Sequence, residues 1–164
     1  LRIYKNMPLI EPVETKENLR IEELVIVVDT SYSTSGELVK KFLRETFTIL
    51  SETDSFFRKR KIHIIQCDEL VHSDITVTGD TDIDILINNF ELAGGGNTDF
   101  RPAFEYVNNL IDTGEIKKLQ GLLYFTDGKG KYPKKKMPYN TAFVFIDKLS
   151  ETAVPAWAMK VSLE

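Results

Sequence analysis

Apolar residues run unbroken from Leu24 to Val28, and the run closes on Asp29. A β-branched stretch of this kind reads as a strand buried on both faces. The period then changes. Thr34-Ser35-Gly36-Glu37 matches a capping box, and Val39, Phe42, Leu43, Phe47 and Leu50 recur on one helical face. Lys61 to Cys67, with Ile62, Ile64 and Ile65, predicts a second strand. Asp68-Glu69 forms a tight turn into a third strand over Leu70 to Val77, so this pair reads as a hairpin with an antiparallel strand at the sheet edge. Asp82 to Leu92 reads as a short helix. Gly94-Gly95-Gly96 must be loop, because three glycines cost too much entropy inside an element.

Arg101 to Asp112 predicts a further helix, with Pro102 tolerated in its first turn. Leu119 to Phe125 is a strand ended by Asp127-Gly128, and a lysine-rich loop follows as far as Pro138. Thr141 to Ile146 and Trp157 to Leu163 complete the strands. Asp147 to Ala156 is short for a parallel crossover, which points to an antiparallel last strand. Residues 1–22, with Pro8 and Pro12, read as an extended segment packed on a single domain spanning 23–164.

Strands alternating with helices imply an α/β sandwich with a mostly parallel sheet. Ligands in such sheets sit outside the carboxyl ends of the strands, at the topological switch point. Asp29 and Asp127 both fall at carboxyl ends of predicted central strands. Around them gather oxygen donors: Ser31 and Ser33 in Val28-Asp29-Thr30-Ser31-Tyr32-Ser33, and Thr98 in Gly96-Asn97-Thr98-Asp99. Hydroxyls with two carboxylates suit a hard cation, Mg²⁺ or Mn²⁺, which takes few carboxylates and keeps several waters.

The chain has 164 residues, 42% hydrophobic and 28% charged, with a net charge of −4. That fits one globular domain with a core and carries no basic field toward nucleic acid or anionic lipid. Cys67 is the single cysteine, which excludes an internal disulfide and a multi-cysteine zinc site and is compatible with a cytoplasmic setting. No stretch is long enough to span a bilayer. A start at Leu1, without methionine, suggests a domain cut from a longer protein.

Asp29-x-Ser31-x-Ser33, Thr98 after the glycines, and Asp127 in Phe125-Thr126-Asp127-Gly128 together resemble the metal-ion-dependent adhesion site of von Willebrand factor A (VWA) domains. The resemblance covers Glu23 to Ile146. It implies a three-layer Rossmann-like sandwich and a binding role without catalysis. It further implies that Ser31 and Ser33 ligate the metal through their hydroxyls, that Thr98 joins directly or through water, and that Asp29 and Asp127 hold coordinated waters or approach the ion. A partner's carboxylate would complete the octahedron. Asn6-Met7-Pro8-Leu9-Ile10, Ile65-Gln66-Cys67-Asp68 and Gly95-Gly96-Asn97-Thr98-Asp99-Phe100-Arg101-Pro102 are similar to a bacterial VWA-like domain that follows a zinc-metallopeptidase-like domain. That context implies as partners a peptidase-like module of the same chain or a chaperone-type AAA+ ATPase. Tyr32 departs from the family, where a small residue is common, and the family's usual terminal helix is missing.

Each signal has a plainer counterpart. Asp29, Ser31 and Ser33 could be the capping hydroxyls of a helix turn, and Asp127-Gly128 a simple turn. Asp99 reads better as the cap of the following helix than as support for a metal. Lys129, Lys131, Lys134, Lys135 and Lys136 are either a rim that attracts an acidic partner or a solvated flexible loop, the latter favoured. They lack the interleaved aromatics that would stack nucleic-acid bases. His63 and His72 belong to no His-Glu-x-x-His string and read as packing residues, and Cys67 as a buried thiol. A magnesium phosphohydrolase, with Asp29 as nucleophile or ligand, is the rival from another class, although neither a phosphate cradle nor a placed general acid is evident. A structural domain with a relic ligand set is the third.

Overall fold

The structure, a computed structural model, describes residues 21–31, 36–52, 59–145 and 154–162. Its sheet has six strands in the order β3-β2-β1-β4-β5-β6. These are β1 (Ile21–Asp29), β2 (Lys59–Cys67), β3 (Val71–Val77), β4 (Leu119–Thr126), β5 (Asn140–Phe145) and β6 (Met159–Ser162). The helices are α1 (Gly36–Glu52), α2 (Ile83–Asn88) and α3 (Arg101–Asp112). Every pairing is parallel except β2 with β3. The mostly parallel α/β sheet with one antiparallel edge strand is therefore present.

The side-chain alternation of β1 builds the layers. Leu24, Ile26 and Val28 join one core with Val39, Phe42, Leu43, Phe47 and Leu50 of α1 and Ile87 of α2. Val25 and Val27 join the other with Ala103, Phe104, Val107 and Leu110 of α3. The apolar face foreseen for α1 is the face that packs, and Phe42 stacks on Phe125 of β4 at 4.4 Å. A strand covered on both faces must be apolar throughout, which is why β1 and β4 read as unbroken runs.

Two expectations need correction. The last strand is parallel to β5, with Ala142 opposite Met159 and Phe145 opposite Ser162. Residues 146–158 lie between the two strands, which meets the dozen or so that a crossover needs, because Trp157 and Ala158 precede the strand. Trp157 instead lies in the turn before β6 and meets Phe104 edge-on at 6.1 Å. Helix α2 is also shorter than foreseen. It is capped by Asp82, whose carboxylate accepts from Ile85 N at 3.1 Å, but it stops at Asn88. Beyond it Gln66 of β2 holds the chain extended, donating to Glu91 O at 3.1 Å and accepting from Ala93 N at 2.8 Å.

The β4–β5 crossover contains no helix. Residues 127–139 cross the α3 face as a loop whose Tyr132, Met137 and Tyr139 enter that core. No helix among the described residues is long and apolar enough to cross a membrane. Residues 1–20 of the expected N-terminal segment, and Thr34-Ser35 of the capping box, lie outside the described residues, while residues 21 and 22 already belong to β1.

Candidate metal centre

Strand β1 has β2 on one side and β4 on the other, so the chain reverses its direction of progress across the sheet at the β1/β4 boundary. The register sets Val28 opposite Phe125. The next residues, Asp29 and Thr126, thus leave the sheet side by side at the carboxyl ends of both strands, the crevice in which ligands of such folds bind.

Asp29 is fully buried, and both its oxygens are engaged. Oδ1 accepts from Ser31 N at 2.8 Å, and Oδ2 accepts from the Thr126 hydroxyl at 2.6 Å. Thr126 Oγ1 in turn accepts from Gly128 N at 3.0 Å. Burial pushes the Asp29 carboxyl above the ordinary range. Hydrogen bonds from Thr126 and from the amide and hydroxyl of Ser31 pull it back, and the charge of Asp127 pushes it up again. Ser31 is itself buried. Half-buried Asp127 folds its own turn, accepting from Lys129 N at 3.0 Å.

Thr98 is half-buried and reaches this end of the sheet through the segment after Asp127. A Cβ at Gly130 would lie 2.8 Å from Thr98 Cγ2 and 3.0 Å from the Phe100 ring. The structure thus joins Ser31 to Asp29, sets Asp127 near enough for its charge to act on Asp29, and brings Thr98 against the adjoining loop. Ser33 and Tyr32 lie outside the described residues. The N-cap of α3 is Phe100, which makes no side-chain cap bond, so Asp99 is not the cap; it clamps the first turn from one residue earlier, taking Arg101 N at 3.0 Å and the Arg101 guanidinium at 2.8 and 3.0 Å. The hydrogen bond from Arg101 holds the Asp99 carboxyl below its usual range.

Three supports were not singled out from sequence. Thr126 stood in the motif string, but its role depends on the β1/β4 register. Asp68, read as a turn residue, is buried and organises the glycine loop. Its Oδ1 accepts from Leu70 N at 2.9 Å and from His72 Nε2 at 2.7 Å, and its Oδ2 accepts from Gly96 N at 3.1 Å. Burial raises this carboxyl, yet those hydrogen bonds outweigh it and leave the group below the ordinary range. Thr30 completes the attachment, with Gly95 N donating to its carbonyl at 2.8 Å. Gly94 takes φ +130°, and a Cβ there would meet Thr30 Oγ1 at 2.7 Å and Asp68 Oδ2 at 2.9 Å, so only glycine fits.

His63 and His72 both serve structure. His63 Nδ1 donates to Asp74 Oδ1 at 2.9 Å, and Tyr106 of α3 donates to Asp74 Oδ2 at 2.6 Å. Cys67 is buried, and desolvation pushes its thiol up to about 12. Among the described residues no three His, Cys, Asp or Glu side chains form a metal-holding group, so a metal here would rely on hydroxyls beside the two carboxylates.

Solved structures share this architecture. The SpRpn10 VWA domain is 13% identical, with a TM-score of 0.59 and 87% of each chain covered. An aerotolerance-related membrane protein from Bacteroides fragilis NCTC 9343, with multiple mutations to serines, is 14% identical, with a TM-score of 0.51, covering 76% of this chain and 67% of its own. At such identity the likeness shows the fold alone. No curated protein matches the sequence. Residues 24–164, from the first buried strand to the C-terminus, match the family described as VWA-like domain (DUF2201), and the chain belongs to that family.

Proposed function

We propose that this domain binds a protein partner through a divalent cation held at the carboxyl ends of β1 and β4. The observation that carries the reading is the donor set at this end of the sheet: Asp29, fully buried, with the Ser31 amide on one oxygen and the Thr126 hydroxyl on the other, and Asp127 near enough for its charge to act on it. A buried carboxylate is costly to charge, and a cation held at this end of the sheet would relieve that cost. The donor chemistry supports a hard ion, because carboxylate and hydroxyl oxygens are what Mg²⁺ and Mn²⁺ accept. Ser31, Ser33 and Thr98 would offer hydroxyls, and Asp29 and Asp127 would hold the ion or its waters. The bound ion would supply a positive centre open to one carboxylate from the partner. The protein's own share is to fix the donors in advance: Thr126 orients Asp29, and Asp68 with Thr30 seats the loop that leads to Thr98.

The role is recruitment rather than turnover. A peptidase-like module in a longer protein, or a chaperone-type ATPase, is the partner context we carry forward from sequence resemblance. Calorimetric titration of Mg²⁺ and Mn²⁺ into the protein tests the reading, with Asp127→Ala and Ser31→Ala as controls. Binding to the parent that disappears in both variants is expected. Equal heats in parent and Asp127→Ala would refute it.

A further inference from the structure

The lysine-rich loop divides into two parts with different surroundings. Residues 128–132 are built into the fold. Tyr132 donates from its hydroxyl to Gly128 O at 3.0 Å, and its ring lies 4.6 Å from Phe100 and 4.9 Å from Phe143. Phe100 N donates to Lys131 O at 3.0 Å, and Lys129 N donates to Asp127 Oδ1. Gly130, between the two lysines, is packed so closely on Thr98 and Phe100 that no side chain fits there. Lys129 and Lys131 are therefore exposed residues on a fixed backbone, flanking the segment that touches Thr98. The charge of Lys131 also acts on Asp99. Lys134, Lys135 and Lys136 differ. The chain there is leaving this end of the sheet, and Lys136 lines a groove with Leu119, Gln120 and Asn140 at the amino ends of β4 and β5.

We infer that Lys129 and Lys131 form the recognition rim for an acidic protein segment whose leading carboxylate enters the metal centre. The inference rests on the metal-binding reading for what that first carboxylate meets. It departs from the solvated-loop alternative because a solvated loop needs no aromatic anchor packed against the core. Charge argues the same way. The chain as a whole carries −4, so its net charge does not draw an acidic partner in. At physiological salt charges act over about 8 Å, so cations fixed beside the site, and not the net charge, set what an acidic partner meets as it docks. Carboxylates flanking the leading one are the chemistry such a rim selects.

The test uses fluorescein-labelled octaglutamate, read by anisotropy in Mg²⁺ and again in chelator. Lys129→Gln with Lys131→Gln is compared with Lys134→Gln plus Lys135→Gln, which removes the same charge from the same loop. Glutamine is chosen because a new glutamate beside Asp127 could itself compete for the ion. Loss of two rim charges should weaken binding about fivefold at low salt, and the difference should shrink as salt rises. The Lys134/Lys135 variant should stay near the parent. Equal weakening by both pairs, or none by the Lys129/Lys131 pair, overturns the rim. Failure of the metal reading looks different. Parent binding would then be the same in chelator and unchanged by Ser31→Ala, while the dependence on Lys129 and Lys131 persisted and upheld the rim.

Discussion

Thr126→Val isolates the hydrogen bond that orients the central carboxylate. Valine matches threonine in shape, so the packing at the end of β4 survives while the hydroxyl goes. Two buried groups lose a partner: Asp29 Oδ2, now 2.6 Å from that hydroxyl, and Gly128 N, which donates to it at 3.0 Å. A hydrogen bond to a charged group contributes about 1.5–3 kcal/mol, and a stranded buried amide costs about 1–3 kcal/mol, so a loss of roughly 3–5 kcal/mol is expected. With a urea slope of roughly 2 kcal/mol per molar, the midpoint should fall by about 2 M. The effect also has a pH signature. The Asp29 carboxyl already lies above its unfolded value of 3.8, so the folded state binds more protons there, and its contribution falls as pH rises through that window. Losing the Thr126 donor raises it further, so the deficit of the variant should be largest at neutral pH. It should narrow as pH drops toward 3.8 and Asp29 becomes neutral in both proteins. Thr126→Ser should recover most of the loss. Urea unfolding followed by circular dichroism at pH 7 and pH 4 decides it. A midpoint within 0.3 M of the parent (about 0.6 kcal/mol), or a deficit of the same size at both pH values, would refute the coupling of Thr126 to Asp29.

Three further outcomes follow from the same geometry. Gly94→Ala places a methyl 2.7 Å from Thr30 Oγ1 in a backbone conformation with φ +130°, so thermal unfolding should report a loss of about 1–3 kcal/mol. Tyr106→Phe removes the donor to Asp74 and should cost about 1–2 kcal/mol at neutral pH. Burial raises the Asp74 carboxyl, but His63 and Tyr106 outweigh it and hold it below 3.8, so this contribution is present above that value and lost as pH falls below it. Unfolding curves for parent and Tyr106→Phe should therefore converge in strong acid. Cys67, its thiol pushed up to about 12 by burial, should resist a colorimetric thiol reagent at pH 8 in the native protein. One equivalent should react once the chain is unfolded, and rapid native labelling would contradict the burial.

The parts of this fold that were legible in sequence are those whose physics is local. An unbroken apolar run names a doubly covered strand, and Asp29 and Asp127 could be placed at strand ends because each directly follows such a run or nearly so. Helix α1 showed its face because its spacing repeats over several turns. What stayed hidden depends on contacts distant in sequence. Gln66 ends α2 by pinning residues 91–93, and no local signal in Asp82 to Leu92 announces that. Asp68 looks like any turn residue until the glycine loop, some 28 positions later, is seen to donate to it. Thr126 matters through its pairing with Asp29, a separation of 97 residues that only the β1/β4 register reveals. The lysine loop shows the limit most clearly. Composition makes its five lysines equivalent, yet Tyr132 and Gly130 fix two of them beside Thr98 while the chain carries the other three away. Composition reports how much charge a segment holds; the aromatic anchors decide where that charge can act. The selectivity of a domain like this one would therefore lie in the short segments packed around its donors at least as much as in the donors themselves.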